Sequence, residues 1–211
     1  MRIGTNLKGQ LAHLFQVLVA GERLAQECAL RQLHLAPERN TRSFLAAQAR
    51  QEGLHAWVFH SAASALAPRG SSSDSPALCA MHRYRERLLV DLDSGNLAGS
   101  LVGMQVVLEG VGAMVLKEMD TELRRRGDRY AVLRRGLLLQ EDAHHAFGLR
   151  CIEHLCVETP DASALLAAAG GEYAALSVDI LTACEELFLY LGADPQLYQP
   201  ALPACLSGGA G

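Results

Sequence analysis

None of the six cysteines, Cys28, Cys79, Cys151, Cys156, Cys184 and Cys205, falls in a Cys-x-x-Cys pair. That excludes a rubredoxin-type iron site and speaks against a zinc knuckle. Aromatic residues are scarce, with a single tryptophan at Trp57. No basic face is interleaved with them, so a nucleic-acid partner is not expected. No segment reads as long and apolar enough to span a membrane, and none is expected to meet one. The apolar run from Leu11 to Ala20 is interrupted by His13 and Gln16. Glu22 stands where a signal peptide would be cleaved, so this run reads as mature helix. The net charge of −4 is mild. Arg124, Arg125, Arg126, Arg134 and Arg135 read as a solvated helix end that complements the helix dipole. Most of the cysteines sit among apolar residues and read as buried thiols, which fits a cytoplasmic location.

What the chain does contain is one short phrase written twice. Gln51–Ala56 reads Gln-Glu-Gly-Leu-His-Ala, and Gln140–His145 reads Gln-Glu-Asp-Ala-His-His. Each copy holds Glu-x-x-His, as Glu52 with His55 and Glu141 with His144. Residues i and i+3 share a helix face, so each pair aims a carboxylate and an imidazole at one point. Upstream of each copy stands one further glutamate inside an apolar helical pattern, Glu22 and Glu109 respectively. Halfway between Glu22 and the first pair lies Ala36-Pro37-Glu38-Arg39-Asn40, a helix break. Halfway between Glu109 and the second pair lies Arg125-Arg126-Gly127-Asp128, a second break. Folding each half into an antiparallel hairpin brings the lone glutamate level with its Glu-x-x-His. That level is about fifteen residues from the turn, or roughly 22 Å along the helix axis.

Helices are expected over about 7–33, 41–66, 97–125 and 129–157. Their apolar seams carry Glu22, then Gln48, Glu52 and His55, then Glu109, then Glu141 and His144. A loop is expected at Ala67–Ser75, then an extra helix over about 76–91 and a break at Asp93–Asn96. Thr159-Pro160-Asp161 stops the fourth long helix. A fifth runs over about 162–191, interrupted or loosened at Gly170-Gly171, and the tail from Gly192 is irregular. Length and a 50% hydrophobic content fit a single all-α domain over residues 1–211. Its core would span about 7–157, with a C-terminal helix and tail over 162–211.

One glutamate from each of two helices, with one Glu-x-x-His from each of two others, is the ligand pattern of a carboxylate di-metal site. On these six residues the chain, from about Leu11 to Leu155, resembles the ferritin-like carboxylate-bridged di-iron superfamily, in its oxygenase and oxidase branch. The resemblance implies an antiparallel four-helix bundle with a long crossover, here holding the extra helix. It implies two iron ions, or a manganese–iron or manganese pair, and O₂ as co-substrate. It implies that Glu52 and Glu141 bridge the metals while Glu22 and Glu109 are terminal. Four glutamates and two neutral histidines balance two divalent cations, which is a physical reason for four carboxylates to share a core. Carboxylate and imidazole donors suit iron(II) and manganese(II).

Ligating histidines usually donate their second N–H to a neighbour. Gln51 and Gln140 stand where the resembled oxygenases often place an aspartate, and exposed flanks are the alternative for both. Gly21, Gly53, Gly110, Gly112 and Gly148 crowd the ligand level. They are read as room for oxygen and a small or elongated apolar substrate, with close helix packing as the alternative. His145 faces away from the ligand direction. His13, His34, His60, His82 and His154 read as surface or satisfied polar residues. The expected activity is O₂-dependent oxidation of such a substrate, with an electron donor and with a homodimer admitted. Iron handling or peroxide removal, as in bacterioferritin or rubrerythrin, is the alternative. Gly53 stands where bacterioferritin has its haem-ligating Met, and no rubredoxin domain is present. A metal-free helical interaction module is the third reading. It would require the four core carboxylates to be protonated or paired otherwise.

Overall fold

The computed structural model describes residues 5–66, 75–125, 131–191 and 202–206. Among these residues the regular structure is entirely helical. The elements are α1 (Thr5–Leu35), α2 (Arg39–Leu66), α3 (Pro76–Asp93), α4 (Leu97–Leu101), a π-helical segment (Val102–Leu108), α5 (Glu109–Arg125), α6 (Ala131–Glu158), a 3₁₀ turn (Pro160–Ala162), α7 (Ser163–Ala183) and α8 (Glu185–Leu191). The loop expected at Ala67–Ser75 and the turn expected at Arg125–Asp128 lie outside the described residues except for Ser75 and Arg125. The tail from Gly192 does so except for residues 202–206.

The chain divides into two compact units. Unit 1 comprises residues 1–85 and 179–195. Its frame is the α1–α2 hairpin. Pro37 cannot continue α1, and the chain reverses across Ala36–Glu38. Arg42 steadies the reversal by donating to the carbonyls of Ala36 (3.0 Å) and Pro37 (2.7 Å). Far from the turn, Phe15 and Phe59 stack at 5.9 Å, which fixes the antiparallel register. The N-terminal half of α3 joins this unit through Arg85, whose guanidinium grips the Glu27 carboxylate. Leu45, Cys28 and Ala29 are fully buried in the hairpin core.

Unit 2 comprises residues 86–178 and 196–211. Its frame is the run α4–π–α5 set antiparallel to α6. Gly95 takes φ 74°, a left-handed conformation that only glycine adopts without strain, and so turns the chain out of α3. Asn96 caps α4 by accepting from the Gly99 amide at 3.0 Å. Asn96 is itself held by the Asp91 carboxylate at 2.9 Å. Asp91 also accepts from the Tyr173 hydroxyl at 2.7 Å and meets Arg87 at 3.0 Å. The Tyr173 ring lies over Gly103, where a Cβ would come within 2.6–2.8 Å of it. Every residue from Gly99 to Val111 is buried, so this stretch is packed on all sides. Its π character is marked by the Glu109 amide, which donates to the Met104 carbonyl five residues back.

Three sequence expectations change. Gly170-Gly171 does not interrupt the last long helix: α7 runs unbroken to Ala183, and the break falls at Cys184. A Cβ at Gly170 would meet Leu202 at 3.1 Å, so this glycine serves a close approach. Only Cys28 and Cys184 are buried thiols; Cys79 is exposed and the other three are half-buried. Apolar neighbours in sequence do not decide which helix face a thiol takes. By length and composition two helical stretches could cross a membrane, Leu97–Thr121 and Ser163–Ala183. Of these, an 18-residue window of Leu97–Thr121 is 89% buried, in the core of unit 2, while such a window of Ser163–Ala183 is 33% buried.

Candidate functional site

Each unit carries three buried Glu/His residues of the repeated pattern. In unit 1, Glu22 comes from α1, and Glu52 and His55 come from consecutive turns of α2. All three are buried. His55 Nδ1 lies 3.4 Å from Glu22 Oε2 and 3.1 Å from Glu52 Oε2. The other oxygen of Glu52, Oε1, accepts from Gln48 Nε2 at 3.1 Å. Gln48 is itself only 1% exposed, so this bond fixes the carboxylate from within the core. Donor atoms of Glu22, Glu52 and His55 lie within 4.8 Å of one another, close enough to hold one ion.

In unit 2, Glu109 opens α5 directly after the π segment, and Glu141 and His144 lie one turn apart on α6. These three are buried as well. His144 Nδ1 stands 3.9 Å from Glu109 Oε2. The placement of Glu109 depends on the π segment, since an i→i+5 turn holds one more residue than an α turn and so rotates the start of α5 about the helix axis. Two features grip that segment. His145 Nδ1 lies 3.0 Å from the Gln105 carbonyl. A carbonyl can only accept, so Nδ1 carries the proton. Gly148 lets α6 come so near that a Cβ there would lie 2.4 Å from the Gln105 Cβ and 3.0 Å from its carbonyl carbon.

All six sequence-derived ligands are therefore buried, three in each unit. Together they offer buried carboxylate oxygens and imidazole nitrogens, donors that could hold metal ions. The substrate-cavity reading of the glycines does not hold at three of its five positions. A Cβ at Gly53 would meet the Gln26 amide at 2.5 Å, and at Gly110 the His145 ring at 2.9 Å; Gly148 meets Gln105. These glycines are where neighbouring groups press in, which is the close-packing alternative. A Cβ at Gly21 would make ordinary contact with Met81 at 3.7 Å, and Gly112 has open space. The groove of about 280 Å³ in unit 1 is lined by Gln16, Arg23, His60 and Leu78 among others, and by none of these glycines.

Gln51 and Gln140, expected behind the histidines, are both half-buried. Of the histidines outside the motifs, His34, His60, His82 and His154 are exposed, and His154 pairs with Glu158. His13 departs from the expected surface role. Its Nε2 is buried with no hydrogen-bond partner among the described residues, and burial holds its imidazole below the usual histidine range. Sequence reading placed Gln48 in the α2 seam without a task. It missed the part His145 and Gln105 take at the π segment.

No protein-family model matches the chain, and no curated protein matches it.

Proposed function

We propose that the six residues Glu22, Glu52, His55, Glu109, Glu141 and His144 hold two divalent metal ions in a ferritin-like helical bundle. On this reading the protein is an oxidoreductase that activates O₂ to oxidise a small or elongated apolar molecule, with electrons from a separate donor. The observation that carries it is the repeated burial of two carboxylates and one imidazole in each unit, in the same order and at the same helical spacing. The formal charge of the set, −4 from the glutamates, matches two divalent ions. Bound iron(II) would supply the electrons that reduce dioxygen.

The protein's own residues would hold and orient. Gln48 fixes Glu52 through Oε1, leaving Oε2 turned to His55. His145 and Gly148 hold the π segment, and through it the start of α5 where Glu109 stands. Leu101, Val102, Met104, Val106 and Val107 are almost fully buried around that turn and keep water away from it.

The test is elemental analysis after anaerobic iron loading, then O₂ exposure watched by absorbance. About two irons per chain with an oxygen-dependent spectral change is the expected result. A chain that stays helical by circular dichroism yet retains no iron would sink the reading and leave a structural bundle.

A further inference from the structure

The groove of unit 1 stands outside the Glu/His pattern, and none of the six residues of that pattern lines it. Its floor is apolar: Val19 of α1 and Ala63 of α2 are buried, and Ala20 and Leu78 are half-buried. Its rim is polar, with Gln16 half-buried and Arg23 and His60 exposed. On α1 the lining residues fall at i, i+3, i+4 and i+7, from Gln16 to Arg23, and so share one helix face. Glu22 leaves that face to meet His55 at 3.4 Å. The third wall is held in place, because Arg85 grips Glu27 and so pins α3 to α1. Leu78 lies in the first turn of α3, where Ser75 accepts from its amide at 3.2 Å.

The polar rim is not answered from within. No side-chain hydrogen bond or ion pair joins Gln16, Arg23 or His60 to another described residue. Among the described residues that line the groove there is no acid. The guanidinium is a permanent cation whose planar fork matches a carboxylate. The amide of Gln16 and the imidazole of His60 add further N–H donors. The first turn of α3 is the positive end of its helix dipole. We propose that this groove binds a small amphipathic carboxylate, its head on Arg23 and its aliphatic tail along Val19, Ala20, Ala63 and Leu78. One guanidinium balances one carboxylate, and a bare inorganic anion would leave the apolar floor uncovered. The volume of about 280 Å³ lies at the foot of the range for small-molecule sites, about 300–1,000 Å³, so the ligand is small. The site stands whether or not the six Glu/His residues hold metal.

The experiment is isothermal titration calorimetry of the full chain with octanoate, beside 1-octanol, octylamine, acetate and inorganic phosphate. Octanoate should bind saturably below about 1 mM and raise the thermal midpoint, with acetate and phosphate giving neither effect. Octanol and octylamine, with the same tail, should bind at least about threefold more weakly. Arg23→Gln, at an exposed position, should weaken octanoate by roughly three- to tenfold and leave octanol unchanged. Ala20→Leu should fill the groove and weaken octanoate and octanol alike, with circular dichroism unchanged. No binding of octanoate, octanol or octylamine as tight as octanoate, phosphate binding in its place, or an octanoate affinity that neither variant moves would each overturn the assignment.

Discussion

Gly148→Ala and Gly136→Ala make the same chemical change on the same helix, and they should act with opposite sign. Alanine in place of a helical glycine gains about 1 kcal/mol from reduced backbone entropy of the unfolded chain. At Gly136, which is exposed with nothing within 4 Å of the new Cβ, that gain stands alone. At Gly148 the Cβ would lie 2.4 Å from the Gln105 Cβ, 3.0 Å from the Gln105 carbonyl carbon and 3.2 Å from the Val106 nitrogen. The latter two are backbone atoms of a buried π turn and cannot swing aside as a side-chain tip could. Overpacking of this kind costs roughly 1–3 kcal/mol, and more where the backbone must move. With backbone atoms in the way the cost lies at about 2–3 kcal/mol, so the net for Gly148→Ala is a loss of about 1–2 kcal/mol, against a gain of up to about 1 kcal/mol for Gly136→Ala. In a chain of this size that lowers the thermal midpoint by about 2–8 °C in the first variant and raises it by about 2–4 °C in the second. Urea unfolding monitored by circular dichroism, with both variants beside the parent, measures the difference directly. A Gly148→Ala protein as stable as the parent would refute the close approach of α6 to the π segment.

Tyr173→Phe removes a buried hydroxyl that donates to Asp91 at 2.7 Å. A hydrogen bond to a charged acceptor is worth about 1.5–3 kcal/mol, and a loss below about 0.5 kcal/mol in urea unfolding would contradict the role given to this network. His13 is held below its usual range by burial, so the unfolded chain takes up a proton more readily than the folded one. Stability should therefore decline as pH drops below about 6.5 and level off below the folded value. His13→Leu should flatten that decline between pH 7 and 5 relative to the parent, and an unchanged slope would rule the contribution out. Manganese(II) at a hundred times its dissociation constant should stabilise the protein by about 2.7 kcal/mol. A chelator should reverse the gain, and Glu52→Gln should abolish it; a gain that survives in the variant would place the ion elsewhere.

The first hairpin could be read in advance because its signals are local. Pro37 cannot continue the helix that precedes it, and Glu22, Glu52 and His55 fall on apolar seams where ionisable groups do not normally belong. The π segment gave no such sign. From Gly99 to Val111 every residue is buried, so the sequence there has no polar face whose phase could reveal a change of helical turn. The glycines were ambiguous for a related reason. A glycine that leaves room and one that lets a neighbour press in are the same letter, and only the atoms opposite tell them apart. Gln26 opposite Gly53, His145 opposite Gly110 and Gln105 opposite Gly148 decide those three. Gly170 was read as interrupting or loosening the helix, yet α7 runs through it, and Leu202 occupies the space a side chain would take.

Among the described residues, five of the six buried acids can be sorted into two groups by what meets them. Asp91 and Asp120 stand beside guanidinium groups, from Arg87 at 3.0 Å and Arg124 at 2.6 Å. Asp91 is further held by Tyr173 and Asn96. These acids serve the fold, and a permanent cation settles their charge. Glu22, Glu52 and Glu109 instead face imidazoles, from His55 and His144. An imidazole nitrogen can bind a metal through its lone pair, which a guanidinium cannot do. Stability alone does not favour this choice, because apolar residues of similar volume commonly serve a core as well as or better than buried ions. That the same costly arrangement occurs in both units, with the same Glu-x-x-His spacing, supports the reading that these carboxylates could hold a cation.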